Sequence, residues 1–232
     1  MSVGSSPDLY NILNTILQDT APHSMSELYN ISFADGSSSV SSGEISLLSF
    51  KDKTINTGGP ITYPTVALTG NSSNGYTVNA SRDTANAYKA FNDNTGDYWQ
   101  IGTSTVYNNG SPRGIYLGST EKIPGYLGEW IELILPNQIF LTELQIYCSH
   151  SLFLPRRSYT FGSNDGIAYY LIHDSGDKGY LWGTYPDYNT IFTRTPDTAN
   201  EDPYSRILII AESLSGGNVM GWNDINIIGI TD

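Results

Sequence analysis

Apolar and polar residues alternate over most of the chain, in a pattern typical of half-buried strands. Three apolar residues alternate with Glu132 and Ile134 over residues 131–135, and the same period of two recurs at residues 144–148. The unbroken apolar run at residues 207–210 is typical of a central strand. Gly, Asn, Asp and Pro separate these runs. The sequence therefore predicts a mainly β, antiparallel sandwich over residues 61–232.

The first 60 residues follow a different pattern. Residues 6–20 predict a short amphipathic helix that Ser6 can cap. Its apolar stripe consists of Leu9, Ile12, Leu13, Ile16 and Leu17. Because so short a helix is marginal alone, it docks either on the chain's own sandwich or on a partner. A Ser-rich stretch at residues 36–43 indicates an extended connector, so residues 1–60 are predicted to form an anchoring segment.

Charge and composition narrow the classes of partner. The chain has 11 basic and 23 acidic residues, a formal net charge of −12. Such an acidic surface disfavours nucleic acid and anionic membranes as partners. We expect neither a membrane span nor a signal peptide, because no apolar run has the required length or position. Cys148 is the single cysteine, which excludes an intrachain disulfide and indicates folding in a reducing compartment.

Four segments resemble, in chain order, the discoidin family, also called coagulation factor 5/8 type C. They are AFNDNTGDYW at residues 90–99, the EWIEL and LTELQIY strands within 129–147, RSYTFGSNDG at 157–166, and the closing strands within 205–229. The resemblance covers about 170 residues. It implies a jelly-roll β-sandwich of the galactose-binding-domain-like kind. It also implies that Trp99 and Trp130 are buried core residues.

The same resemblance implies a structural calcium ion, the one cofactor we expect. In the family a loop and an acidic residue of the last strand hold the ion. Carried onto this chain, the ligands are Asn92, Asp93, Asn94, Thr95, Asp97 and Asp224. Asn92 stands where the family has Asp, and Asp93 where it has Gly. The alternative is that these side chains cap the loop's own amides without a metal.

The resemblance also implies a ligand site in the loops at one end of the sandwich. Candidate residues are Tyr107, Tyr116, Arg156, Arg157, Trp182, Tyr185 and Tyr188. Aromatic rings match the apolar faces of sugars, and Arg donates hydrogen bonds to hydroxyls. Tyr, Trp and Arg are equally enriched where proteins contact one another. Because nothing in the sequence defines a sugar pocket, the protein–protein contact is the favoured interpretation.

Motifs of catalysis are not recognisable in the sequence. His23, His150 and His173 lack the spacing of metal ligands, and no Gly-rich phosphate loop occurs. Cys148 lies in the inward phase of a strand, which is typical of an inert core thiol. Asp93 and Asp97 are better explained by a turn or a cation than by glycoside hydrolysis. We therefore expect a protein that is not an enzyme.

The anchoring segment carries a second resemblance. Residues 26–29 (SELY) followed by 42–50 (SGEISLLSF) resemble the start of tail and capsid accessory proteins of bacteriophages and large DNA viruses. This implies a virion structural protein, minor capsid or fibre-associated, made in the host cytoplasm. Its partners would be other virion proteins or further copies of itself. The alternative function is a carbohydrate-binding module or lectin-type attachment protein with a glycan partner.

Overall fold

The computed structural model describes residues 59–101, 106–108, 114–178, 187–195 and 202–231. The predicted helix with its Leu9 to Leu17 stripe, and the Ser-rich connector, lie outside these residues. The described residues belong to one compact unit, Pro60–Asp232, apart from Gly59. Within it the strands, numbered in chain order, are β1 Ile61–Tyr63, β2 Ser72–Ser73, β3 Tyr76–Ala80, β4 Trp99–Ile101, β5 Glu121–Ile123, β6 Tyr126–Leu127, β7 Glu129–Cys148, β8 Pro155–Ser163, β9 Tyr170–Asp174, β10 Asp187–Thr193, β11 Tyr204–Leu214, β12 Met220–Trp222 and β13 Asp224–Thr231.

Strand β7 belongs to two layers of antiparallel strands. Its first part, up to Leu135, pairs with β3 and β11, and β11 continues through β8 to β9. Its second part, from Ile139 onward, pairs with β13 and β10, and β13 pairs with β1. We call these layers the front sheet and the back sheet. Between the two parts, residues 136–138 are exposed, where the strand passes from one layer to the other.

The main core lies between the two sheets. Ile131 and Leu133 of the front sheet and Leu144 and Ile146 of the back sheet are fully buried in one apolar cluster. Alternation along each strand sends these residues inward and their neighbours outward. The prediction of a mainly β, antiparallel sandwich is thus confirmed. Two 3-10 segments, Thr84–Phe91 and Ser151–Phe153, are the helices of the described residues, and none of these is long and apolar enough to cross a membrane.

A second, smaller cluster covers the outer face of the front sheet. Residues 207–210 of β11 are buried on both faces, because Leu208 and Ile210 pack with Tyr159 and Phe161 on the outer side. The hairpin of β5 and β6 contributes Tyr126, whose ring lies in edge contact with those of Tyr159 and Phe161. The continuous apolar run is therefore a central strand, as predicted.

Two tryptophans close the core at one end. Trp99 of β4 and Trp222 of β12 are paired across the two strands, and their ring centroids lie 5.7 Å apart. Both side chains are fully buried, and the indole nitrogen of Trp99 donates to the carbonyl of Arg82 at 2.9 Å. A buried indole needs such a partner for its N–H.

Trp130 corrects one expectation from the sequence. The resemblance led us to expect Trp130 to be as fully buried as Trp99. Instead it is half-buried in the outer cluster of the front sheet, with the ammonium of Lys122 at 4.8 Å from its ring centroid. The reason is alternation, since the inward position next to it is taken by Ile131.

The different burial of these tryptophans gives a prediction. Trp99→Ala should lower the free energy of unfolding by about 3–5 kcal/mol, because it leaves a large cavity in a rigid core. Trp130→Ala should cost clearly less, because solvent already reaches its side chain. Urea unfolding followed by circular dichroism measures both variants. Equal losses would mean that Trp130 also belongs to the main core.

Candidate functional site

A pocket opens at the end of the back sheet where β13 begins. Its volume is about 250 Å³. Its polar lining consists of Thr62, Thr65, Asp93, Asp224 and Asn226, and its apolar lining of Pro64, Val66, Ala67, Phe91 and Ile225. We call this cavity the end pocket.

Strand alternation positions the polar side chains of the end pocket. Ile225 and Ile227 of β13 point into the core, so Asp224 and Asn226 lie on the outer face of the back sheet. Thr62 of β1 lies on the same outer face, because Tyr63 beside it is buried in the core. Asp93 follows the 3-10 helix Thr84–Phe91 and has a left-handed backbone, with φ of 52°.

Asp224 is the organising group of the end pocket. Its side chain is buried, and the hydroxyl of Tyr188 donates to Oδ2 at 2.5 Å. Burial raises the pKa of Asp224, and the negative charge of Asp93 acts in the same direction. Burial and the bond to Asp224 likewise raise the pKa of Tyr188.

Tyr188 is the ligand candidate that adjoins the end pocket. It faces Tyr147 across the strand pair of β10 and β7, and their ring centroids are 5.2 Å apart in an edge contact. Tyr188 is partly exposed, so an aromatic ring and a polar cavity lie side by side on this outer face.

The other described ligand candidates lie apart from the end pocket. Tyr107 is buried, with its hydroxyl donating to the carbonyl of Ala211 at 2.8 Å. Tyr116 packs against Tyr107 and donates to Glu129 Oε1 at 2.9 Å. The hydroxyls of these two tyrosines therefore bind to β11 and β7 and stabilise the interior.

Both arginine candidates are held in ion pairs. Arg156 forms a two-point pair with Asp177, at 2.5 and 2.6 Å. Arg157 pairs with Asp174 at 3.0 Å and with Glu212 at 3.1 Å. The structure thus does not bring the five described candidates together into one site. Trp182 and Tyr185 lie outside the described residues.

The loop at residues 92–97 carries the candidate calcium ligands. Its amide side chains turn back on the loop: Asn92 Oδ1 accepts from the Asn94 N–H at 3.2 Å, and Asn94 Oδ1 from the Gly96 N–H at 3.0 Å. Asp224 is engaged by Tyr188, as described above. Within the described ranges, no three His, Cys, Asp or Glu side chains are placed to hold a metal. This arrangement of the oxygens does not fit a calcium ion, which needs six to eight of them free and convergent.

Cys148 and the two described histidines, His150 and His173, lie in buried or aromatic surroundings. Cys148 is buried, and burial raises the pKa of its thiol well above the usual value, so the reactive thiolate is disfavoured. His173 stacks on Phe192 with ring centroids 4.4 Å apart, and burial lowers the pKa of its imidazole. His150 lies against Phe153, and His23 is outside the described residues.

Sequence reasoning missed Thr62, Thr65 and Asn226. Asp224 was considered, but as a calcium ligand. The signal for Asn226 was present, because Asp224 and Asn226 alternate with two isoleucines and must therefore share the outer face. The sequence carries no signal for Thr62 or Thr65. They reach the end pocket because β1 pairs with β13, and these two strands are far apart in sequence.

Comparisons with known proteins find similar solved structures but no matching family and no matching curated protein. Structural neighbours include family 32 carbohydrate-binding modules. One, from NanJ of Clostridium perfringens in complex with galactose, is 14% identical, with a TM-score of 0.45, and the match covers 66% of this chain and 93% of that one.

Two further neighbours come from the same organism. CpGH89CBM32-5, in complex with GalNAc-β-1,3-galactose, is 13% identical over 67% of this chain and 96% of that one, with a TM-score of 0.45. The module CBM32-1 of a family 31 glycoside hydrolase is 11% identical over 68% and 96%, with a TM-score of 0.43. At these values the neighbours are similar structures and assign no ligand to this chain.

The raised pKa of Asp224 leads to a prediction about pH. The folded state holds the proton of this carboxyl more tightly than the unfolded chain does, so its ionised form destabilises the fold above the folded pKa. Asp224→Asn removes the charge and keeps an acceptor for Tyr188. It should therefore melt at a higher temperature than the unaltered protein near pH 7. The difference should vanish as the pH falls through the folded pKa of Asp224.

Melting curves over a pH series measure this effect. Asp224→Ala is the control, because it removes both the charge and the acceptor and should lower the melting temperature. If Asp224→Asn melted lower than the unaltered protein near pH 7, the ionised carboxylate would stabilise the fold, and our account of its surroundings would be wrong.

Proposed function

We propose that the chain is a non-catalytic carbohydrate-binding module whose end pocket holds one sugar residue. The observation that carries the proposal is the convergence of two hydroxyls, an amide and two carboxylates in one small cavity. Sugar hydroxyls both donate and accept hydrogen bonds, and this set of groups offers both. Its partner is therefore a glycan.

Size and lining support a small, polyhydroxylated ligand. The volume of about 250 Å³ lies below the roughly 300–1,000 Å³ of pockets for drug-sized molecules, which suits a single ring. Pro64 and Val66 form an apolar wall against which the C–H face of a sugar can pack. Tyr188 stands at the polar side, held by Asp224.

Charge favours a neutral sugar. The residues that line the end pocket include Asp93 and Asp224 and neither lysine nor arginine. The whole chain carries a net charge of −12. An anionic sugar would therefore be repelled both at long range and at the site.

The hydrogen bond to Asp224 favours binding over catalysis. A glycosidase needs two carboxyl groups that reach the glycosidic bond from either side. Here Asp224 is buried and already accepts a hydrogen bond from Tyr188, so it positions its neighbours.

We assign contact with the sugar first to Asp93 and Thr62. Asn226 also donates to Gln145, and Thr65 bonds to the hydroxyl of Tyr76, so these two side chains offer the sugar only their remaining donor or acceptor capacity.

The hypothesis of a virion structural protein rests on residues 1–50, which lie outside the described residues. Nothing in the part of the chain that the structure describes favours capsid partners or a location in a virion. We therefore do not advance it as a second function.

Calorimetric titration of the full chain tests the proposal. Galactose and GalNAc-β-1,3-galactose are convenient first probes, followed by a panel of neutral glycans. Asp93→Asn should weaken binding by about 10–100-fold, because a charged hydrogen bond is lost, and Asn tolerates the left-handed backbone at this position. Thr62→Val should weaken binding about 3–10-fold, since it removes one neutral hydrogen bond.

The matched control is Thr193→Val. Thr193 is exposed on β10 and does not line the end pocket, so this variant should bind as the unaltered protein does. Absence of binding across the neutral panel, or binding that neither pocket variant weakens, would refute the proposal. Cleavage of any bound glycan would contradict its non-catalytic part.

A further inference from the structure

The loop at residues 92–97 is tied to the sandwich by two side-chain donors from outside it. On the solvent side, the ammonium of Lys89 lies 3.1 Å from Asp97 Oδ1. On the core side, the Asn223 amide donates to the carbonyl of Thr95 at 2.9 Å. Each donor takes an oxygen that a metal ion in this loop would need.

Lys89 belongs to the helix that directly precedes the loop. Lys89 lies in the last turn of the 3-10 helix Thr84–Phe91, where the unpaired carbonyls favour a positive charge. Asp97 Oδ1 also accepts from the Tyr98 N–H at 3.0 Å. The hydrogen bond from Lys89, more than any other contact, lowers the pKa of Asp97. Oδ1 of Asp97 therefore has two donors, and one of them is a cation.

Asn223 makes the inner tie rigid. Its side chain is 1% exposed, and its Oδ1 accepts from the backbone N–H of Ser149 at 2.6 Å. Its backbone N–H donates to the carbonyl of Tyr147 at 2.9 Å. One buried amide thus connects the loop at Thr95 to the end of β7.

We infer that Lys89 and Asn223 close the 92–97 loop in place of a metal ion, so that the loop is held without calcium. The ammonium of Lys89 supplies the positive charge, and the amide of Asn223 supplies the inner contact. Asp93, which lines the end pocket, is carried by the same loop. Its position is then independent of divalent cations.

Thermal melting and hydrogen exchange of the full chain test this inference. The unaltered protein should melt at the same temperature in excess EGTA and in millimolar calcium chloride. Lys89→Met keeps the aliphatic stem and removes the charge, and should lower the melting temperature by about 1–4 °C in both conditions. The amides of Asp97 and Tyr98 should exchange faster in this variant. The Tyr98 N–H donates to Asp97 Oδ1, which the pair holds, and the Asp97 N–H donates to the carbonyl of Asn94 within the loop that the pair closes.

Three further variants sharpen the test. Lys89→Arg keeps the charge and should behave nearly as the unaltered protein. Asp97→Asn should resemble Lys89→Met, and combining the two should add little, because both remove the same interaction. Lys178→Met makes the same change in net charge at an exposed lysine outside this loop and should leave exchange of the loop amides unchanged.

A rise in the melting temperature of the unaltered protein with calcium would overturn the inference. So would normal exchange of the loop amides in Lys89→Met. None of these measurements uses a sugar, so failure here and failure of the proposed function are distinguishable.

Discussion

Both layers of the sandwich depend on the packing of strand β7. Its inward side chains, such as Ile131 in the first part and Leu144 in the second, meet in one core, because the strand leaves one sheet and enters the other. β11 and β13, which carry the next inward rows, are both paired with it. A change of register in β7 by one residue would turn every one of these side chains outward. The positions of both sheets therefore follow from the alternation of a single strand.

The end pocket is a consequence of the same alternation at the margin of the back sheet. β13 buries Ile225 and Ile227, and this obliges Asp224 and Asn226 to face outward. The pocket is then completed by Thr62 from β1 and by Asp93 from a loop. The most buried of its polar groups, Asp224, is kept in place by Tyr188, which arrives from β10 on the other side of β7. Three strands and a loop thus supply the groups, and the core holds them in position.

Polar and aromatic contacts hold the end of the sandwich that carries the pocket. The chain's single cysteine is buried and cannot form an intrachain disulfide. The loop beside the end pocket is tied by the ammonium of Lys89 and the amide of Asn223, and the core next to this loop is closed by Trp99 and Trp222. The exposed tie is sensitive to salt, whereas the buried ones are screened little. We therefore assign most of the rigidity of this end to Asn223 and the two tryptophans.

The amino-acid sequence by itself determined the fold class and the strands that build it. Period-two alternation at residues 131–135 and 144–148 marked the two parts of β7, and the run at 207–210 marked a central strand, because burial of each face leaves a direct trace in sequence. The same patterns could not show that Trp130 lies outside the main core, or that Arg156 and Arg157 are paired with acids. Those outcomes depend on which strand lies beside which.

Only the tertiary structure decided where the polar groups converge. Thr62 lies more than 160 positions before Asn226 in the chain, and the pairing of β1 with β13 alone brings them to one cavity. Tyr188 was named from the sequence as a stacking aromatic and Asp224 as a metal ligand, yet the fold joins them in one hydrogen bond. Alternation along a strand is a local property, so it can be read from the sequence of each segment. Convergence of side chains depends on strand pairing, and the sequence of a single segment does not show which strand it pairs with.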